Sequence, residues 1–273
     1  MAFETEDVPA APHVLFDSHA HLDMEDFDPD RAEVLARARA AGVGKILCPM
    51  DIASARNRRL IGDLQERDEN LLAAAGLHPH LAKEWRTEYA SEIVALLRLG
   101  SIVALGEIGL DYHYDFSSPL EQRTAFRTQV ALAETLGLPI IVHSRNAGAD
   151  ILRIVEEEKF SRGGILHCFT EDGIFAARMI ERGFWISFSG IVTFPNAGDL
   201  RRTARDLPLE RILFETDSPY LAPVPYRGRT RRNEPAFIAA TARRLAEIRE
   251  LPYAEFVAAA ARNFAAFLAA RFL

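Results

Sequence analysis

Gly137-Leu138-Pro139-Ile140-Ile141-Val142-His143 compresses the logic of the whole chain into one short stretch. An amphipathic segment, 119–136, runs up to the glycine. Glycine there suits the C-terminal cap of a helix. The run that follows is short and apolar, as a strand buried on both faces should be. It stops on a histidine, and a second amphipathic segment, 147–158, begins soon after.

The same pattern recurs in both directions. Short apolar runs stand at 14–18, 44–49, 71–77, 102–107, 139–143, 164–168, 184–188 and 211–216. Amphipathic stretches at 29–41, 55–67, 89–99, 119–136, 147–158, 172–182 and 198–206 separate them, and helical patterns at 234–249 and 253–271 close the chain. Strand and helix alternating in this way predict parallel βα units. Eight of them predict an α/β protein of the (β/α)8 TIM barrel type, with its site at the C-terminal ends of the strands. A doubly wound open sheet is the alternative, but the chain has no GxGxxG. No composition shift marks a linker, so residues 1–273 are expected to form a single barrel domain, with 1–13 as a flexible N-terminal extension.

Composition narrows the class. Of 273 residues, 49% are hydrophobic, enough for a large core, and the formal net charge is −7. An acidic whole offers no bulk attraction to a polyanion, so any phosphate contact must be local. The two cysteines, Cys48 and Cys168, form no CxxC and are expected as free thiols in a reducing compartment. The first residues lack the basic and apolar regions of a secretory signal, and no run is long enough to span a membrane. A cytoplasmic protein is expected, monomeric or weakly oligomeric.

The ends of the apolar runs carry the chemistry. His19 and His21 are two apart where the first run breaks, and residues i and i+2 of a strand point to one side. Glu107, His143, His167 and Asp217 fall at or near the ends of later runs, and His78 follows the third. Four histidines and two carboxylates, without a thiolate, suit Zn²⁺, Mn²⁺, Fe²⁺ or Co²⁺, and Mg²⁺ if waters complete the shell. Six ligands exceed what one tetrahedral ion needs. Two divalent ions bridged by Glu107 would use them all, with Asp217 both ligating and accepting a proton from the attacking water.

Six motifs, in order, resemble the TatD family of metal-dependent hydrolases within the amidohydrolase superfamily. They are Asp17-Ser18-His19-Ala20-His21-Leu22-Asp23, Gly76-Leu77-His78-Pro79-His80, Gly106-Glu107-Ile108-Gly109-Leu110-Asp111-Tyr112, Pro139-Ile140-Ile141-Val142-His143-Ser144-Arg145, His167-Cys168-Phe169-Thr170 and Glu215-Thr216-Asp217-Ser218-Pro219-Tyr220-Leu221. The resemblance implies a barrel, divalent metal and deoxyribonuclease activity, largely 3′-to-5′ exonucleolytic. It implies His19, His21, Glu107, His143, His167 and Asp217 as metal ligands, and His78 as a residue lining the site towards substrate. Other branches of the superfamily bridge their metals with a carboxylated lysine. None of the three lysines, Lys45, Lys83 and Lys159, lies at strand four, so Glu107 should bridge as a plain carboxylate. One departure from the family pattern is Arg227-Gly228-Arg229-Thr230-Arg231-Arg232-Asn233-Glu234-Pro235, two residues longer than the usual RG-x-x-NEP. Another is the acidic loop Thr170-Glu171-Asp172-Gly173.

Substrate contacts are open to two readings each. Arg145 can fork onto a phosphate oxygen or pair with a loop carboxylate. Arg227 and its neighbours form either a basic lip for a nucleic-acid backbone or a solvated charged loop. Tyr112, with His113 and Tyr114, can stack a base or pack on the rim. Asp111 can orient a ligand histidine. The expected activity is hydrolysis of phosphodiester bonds in nucleic acid, single-stranded DNA above all, with Asp217, Glu107 and His78 as catalytic residues and two ions drawn from Zn²⁺, Mg²⁺ and Mn²⁺. A deacylase or amidohydrolase acting on a carbonyl, such as an aminoacyl-tRNA, would need the same metal site. A metal-dependent binding protein is the third reading.

Overall fold

The computed structural model describes residues 15–270. The expectation for residues 1–13 lies outside them. Eight strands follow the eight apolar runs: β1 Leu15–Asp17, β2 Val43–Asp51, β3 Leu71–Gly76, β4 Ala104–Asp111, β5 Ile140–Arg145, β6 Gly164–Leu166, β7 Phe184–Phe188 and β8 Ile212–Phe214. Each pairs in parallel with the next, in chain order from β1 to β8. The ring closes just beyond β1 and β8. There Ser18 N donates to Phe214 O at 3.3 Å, Asp217 N to His19 O at 2.9 Å and His21 N to Ser218 O at 2.8 Å. This is the (β/α)8 barrel expected.

Helices α1 Arg31–Ala40, α2 Ala55–Arg67, α3 Thr87–Arg98, α4 Pro119–Leu136, α5 Gly148–Glu157, α6 Gly173–Glu181 and α7 Gly198–Asp206 each follow a strand. Two more, α8 Ile238–Ile248 and α9 Tyr253–Ala270, follow β8. Local chemistry sets their ends. At the start of α4, Ser118 Oγ accepts from Glu121 N while the Glu121 carboxylate accepts from Ser118 N at 2.7 Å. That reciprocal pair satisfies two amides with no partner inside the helix, and Pro119 needs none. The helix stops at Gly137, whose φ of +67° is left-handed and cheap only for glycine.

The strands are buried on both faces, Ile46 and Leu47 of β2 being equally inaccessible. Phe16 of β1 lies between Phe214 of β8, 4.4 Å away, and Phe264 of α9, 4.6 Å away. This aromatic stack ties the closing seam of the barrel to the last helix. No helix among the described residues is long and apolar enough to cross a membrane.

Several element boundaries differ from those expected: β5 runs past His143 to Arg145 and β6 stops at Leu166. Strand β4 does not end at Glu107 but continues to Asp111. Its register against β5 slips between Leu105 and Ile108 and then resumes, with Gly109 opposite His143. Gly109 has φ +142°, and a Cβ there would stand 2.0 Å from the His143 carbonyl oxygen, so the close approach needs glycine. Strand β8 ends at Phe214, and Asp217 stands beyond it at φ +54°.

Candidate metal centre

Every ligand-type residue singled out in the sequence comes to one end of the barrel. His19 and His21 follow β1, His78 follows β3, and Glu107 and Asp111 lie on β4. His143 is on β5, His167 follows β6, and Asp217 follows β8. Residues 107 and 111 share a side of their strand, as period-two geometry requires.

Glu107 is the hub. Its Oε1 lies 2.7 Å from His167 Nε2, 3.1 Å from His143 Nδ1 and 3.3 Å from His78 Nε2. Its Oε2 lies 3.2 Å from His19 Nε2 and 3.6 Å from His21 Nε2. Asp217 Oδ1 stands 3.4 Å from His21 Nε2 and 3.9 Å from His19 Nε2. One oxygen of a single carboxylate thus faces His143 and His167, and the other faces His19, His21 and, across them, Asp217. Each side collects three or more possible ligand atoms, the number a bound cation draws from protein.

The donor chemistry fits a cation. Glu107 is 6% exposed, and its Oε2 is buried without a hydrogen bond. An unpaired buried carboxylate oxygen is costly unless positive charge compensates it. Burial opposes ionisation of Glu107, yet His167, His78 and His19 hold its carboxyl well below the usual range. Burial also opposes a proton on His21, but Asp217 and Glu107 outweigh it and push that imidazole up to about 9. The same contest raises His167, chiefly through Glu107. His21 and His167 thus favour positive charge beside the two carboxylates, whereas burial lowers His19 and His78.

The outer partners fix the rings. His143 Nε2 lies 3.2 Å from Asp111 Oδ2, leaving Nδ1 turned to Glu107. His167 Nδ1 lies 3.3 Å from Glu215 Oε1, leaving Nε2 turned to Glu107. Carboxylates on the far nitrogen are how metal-ligating imidazoles are commonly oriented. His78 differs: its Nδ1 accepts from His80 N at 3.2 Å, so its Nε2 is the protonated nitrogen. Burial pushes it down to about 4, so it is a neutral donor at ordinary pH.

The orienting role read for Asp111 has its geometry here, whereas Glu215 and His80 were not singled out. His80 Nε2 lies 2.9 Å from Asp111 Oδ2. The i, i+2 spacing of His78 and His80, and of Glu215 and Asp217, repeats that of His19 and His21, and was the signal available. Asp17 accepts from Thr216 N at 2.9 Å and from His19 N at 3.3 Å. Burial pushes its carboxyl up to about 8.

The substrate-side residues divide. Arg145 lies two beyond His143 on β5, half-buried, its Cζ 5.0 Å over the Tyr114 ring. It enters no ion pair among the described residues. Tyr112 is turned to the helical shell: its hydroxyl donates to Asp150 at 2.6 Å and accepts from Arg123 at 3.2 Å. Tyr114 takes the rim position instead. Arg227 is exposed, its Cζ 3.9 Å over Phe194. Arg232, in the same loop, pairs with Asp30 at 2.5 Å, so that arginine anchors the loop. Glu171 and Asp172, which set the acidic loop apart, have structural partners. Glu171 accepts from Ser144 Oγ at 2.7 Å, and Asp172 caps α6 by accepting from Phe175 N at 2.8 Å.

Known proteins resemble this chain along nearly its whole length. A family model described as TatD related DNase matches residues 16–269. The Escherichia coli (strain K12) protein named uncharacterized metal-dependent hydrolase YcfH is 42% identical over 260 residues, covering 92% of this chain and 94% of that one. A protein of Cronobacter sakazakii named 3'-5' ssDNA/RNA exonuclease TatD is 37% identical over 240 residues, covering 86% of this chain and 90% of its own. The crystal structure of YJJV, a TatD homolog from Escherichia coli k12, superposes with a TM-score of 0.86 at 32% identity, covering 93% of this chain and 98% of that one. With the barrel, the convergent ligand-type side chains and these likenesses together, the chain belongs to the TatD family.

Proposed function

We propose that the barrel acts as one metal-dependent hydrolase domain that cleaves phosphodiester bonds in single-stranded nucleic acid from the 3′ end. The observation that carries this reading is the division of Glu107, one oxygen towards His19 and His21 and the other towards His143 and His167. His19, His21, Asp217 and Glu107 would hold one divalent ion, and Glu107, His143 and His167 a second. When bound, such ions lower the pKa of a water and neutralise phosphate oxygens. The name of the Cronobacter sakazakii relative supports the choice of nucleic acid.

The chain's own groups supply the rest. Asp217 would orient the attacking water and accept its proton: burial works against ionisation, but the hydrogen bond with His21 prevails and holds the carboxyl below its usual range, in the form that can accept one. His78 presents an Nε2–H beside Glu107, placed to donate to a phosphate oxygen. Arg145 stands further out on the same face of β5 as His143, with a guanidinium free to fork onto phosphate.

The test is single-turnover hydrolysis of an end-labelled single-stranded DNA. Metal-stripped protein is resupplied separately with Mg²⁺, Mn²⁺ or Zn²⁺, and Glu107→Ala serves as control. Shortening from the 3′ end that needs both the ion and Glu107 is the expected result. A protein that binds two ions and cleaves no strand would overturn the reading and turn attention to carbonyl substrates such as aminoacyl esters.

A further inference from the structure

A groove lies beside the proposed metal centre, along the β3–α3 loop and against Phe116 of the β4–α4 loop. Its inner part, about 240 Å³, is lined by His80, Leu81, Lys83, Glu84 and Phe116. Its outer part, about 400 Å³, shares Lys83 and Glu84 and adds Trp85, Arg86 and Tyr89. His80 joins the groove to the site: its ring centroid is 4.4 Å from that of His78, which touches Glu107.

The groove and the rim beside Phe116 combine flat rings with cations. Phe116 is 55% exposed and Tyr114 41%, unusual for large apolar rings in a fold that buries so many others. Their centroids are 5.5 Å apart, and the His80 ring lies 4.8 Å from Phe116. Arg145 covers one face of Tyr114. Lys83 is exposed and enters no ion pair among the described residues. Arg86 stacks on Tyr89 and donates to its hydroxyl at 2.6 Å, which holds that guanidinium at the outer wall. Glu84 is the single carboxylate among the lining residues, against two cations.

Exposed ring faces beside cations, next to the proposed metal centre, match unpaired bases joined by phosphates. A duplex would not fit this chemistry, because its base faces are already stacked on each other. We propose that this groove seats the nucleotides adjoining the scissile bond of a single strand. A base would stack on Phe116 and Tyr114, and the backbone would pass Lys83 towards Arg86. The proposal rests on the nuclease reading for the identity of the ligand, and it places the strand on the 79–89 segment and not on the arginine loop at 227–232.

The test is equilibrium binding of fluorescein-labelled oligothymidylates with hydrolysis-resistant phosphorothioate links to the metal-loaded chain. Phe116→Ala should weaken binding about 5- to 100-fold, the range for loss of one stacked base. Lys83→Ala should lower the slope of log affinity against log salt by about 0.7, the value for one phosphate contact on a single strand. Arg202→Ala, far out on α7, should change neither. Melting temperature and metal content show that each variant keeps its fold and centre. Equal affinity of Phe116→Ala, Lys83→Ala and the parent, or no binding by the parent, would overturn the proposal. Cleavage is scored separately. Groove-dependent binding without cleavage removes the nuclease reading and leaves the groove, whereas cleavage with no dependence on Phe116 or Lys83 does the reverse.

Discussion

Glu215 Oε1 stands 3.3 Å from Nδ1 of His167, fully buried, and also accepts from Cys168 N at 2.6 Å. It therefore fixes both the ring and the backbone that carries it, and keeps His167 Nε2 aimed at Glu107. Such outer partners matter nearly as much as the ligands themselves. Glu215→Gln, which keeps the shape but removes the charge, should weaken metal affinity about 10- to 100-fold. Competition with a chelator of known affinity measures this. Undiminished affinity would mean that the carboxylate serves only the Cys168 amide.

Glu107 has a heavier task, because both groups of imidazoles share it. Glu107→Gln should reduce bound metal at both positions, not one, and lower turnover by more than about 100-fold, since losing an outer partner alone costs up to that much. Elemental analysis of dialysed protein gives the metal count directly. Loss of one ion with the other retained in full would show that the carboxylate belongs to a single ion and that Asp217 or a water bridges instead.

Metal removal should also be visible as lost stability. The native chain gathers the six proposed ligands, while the unfolded chain scatters them from residue 19 to residue 217. An ion at a hundredfold excess over its Kd then adds about 2.7 kcal/mol at one site. For a chain of this size that is about 5–10 °C in melting temperature. Calorimetry before and after chelation is the measurement. The same treatment of Glu107→Gln should move the transition much less, because that variant has little metal to lose.

Much of this was legible in the sequence, for identifiable reasons. Short apolar runs alternating with amphipathic stretches decided the barrel, and α2, α4 and α7 occupy the stretches their amphipathic patterns marked. The end of β4 was misplaced because the register slip beside Glu107 is a matter of pairing with β5, which no single strand records. Tyr112 and Tyr114 are alike in sequence, and only the positions of Asp150 and Arg123 decide which ring is turned to the helices. Glu215 was hidden for a similar reason: its partner His167 is 48 residues away, and its burial comes from the closed ring.

Arg145 and Arg232 make the sharpest contrast among the arginines. Both could be read as phosphate contacts from sequence, yet their surroundings differ. Arg232 donates to Asp30 Oδ1 at 2.5 Å and to Asp26 O at 3.1 Å, and its Cζ lies 4.8 Å over Phe27. Those partners take both terminal nitrogens of its guanidinium, so Arg232→Ala should lower the melting temperature and leave substrate affinity nearly unchanged. Arg145 has only the Tyr114 face, and its nitrogens remain available to an anion. A hydrogen bond to a charged group contributes about 1.5–3 kcal/mol, so Arg145→Ala should lower kcat/KM on a single strand by about 10- to 100-fold. The melting temperature of that variant should hold. Kinetics and thermal scans on the two variants side by side decide the matter, and an Arg145→Ala enzyme with unchanged kcat/KM would remove this residue from the proposed phosphate contacts.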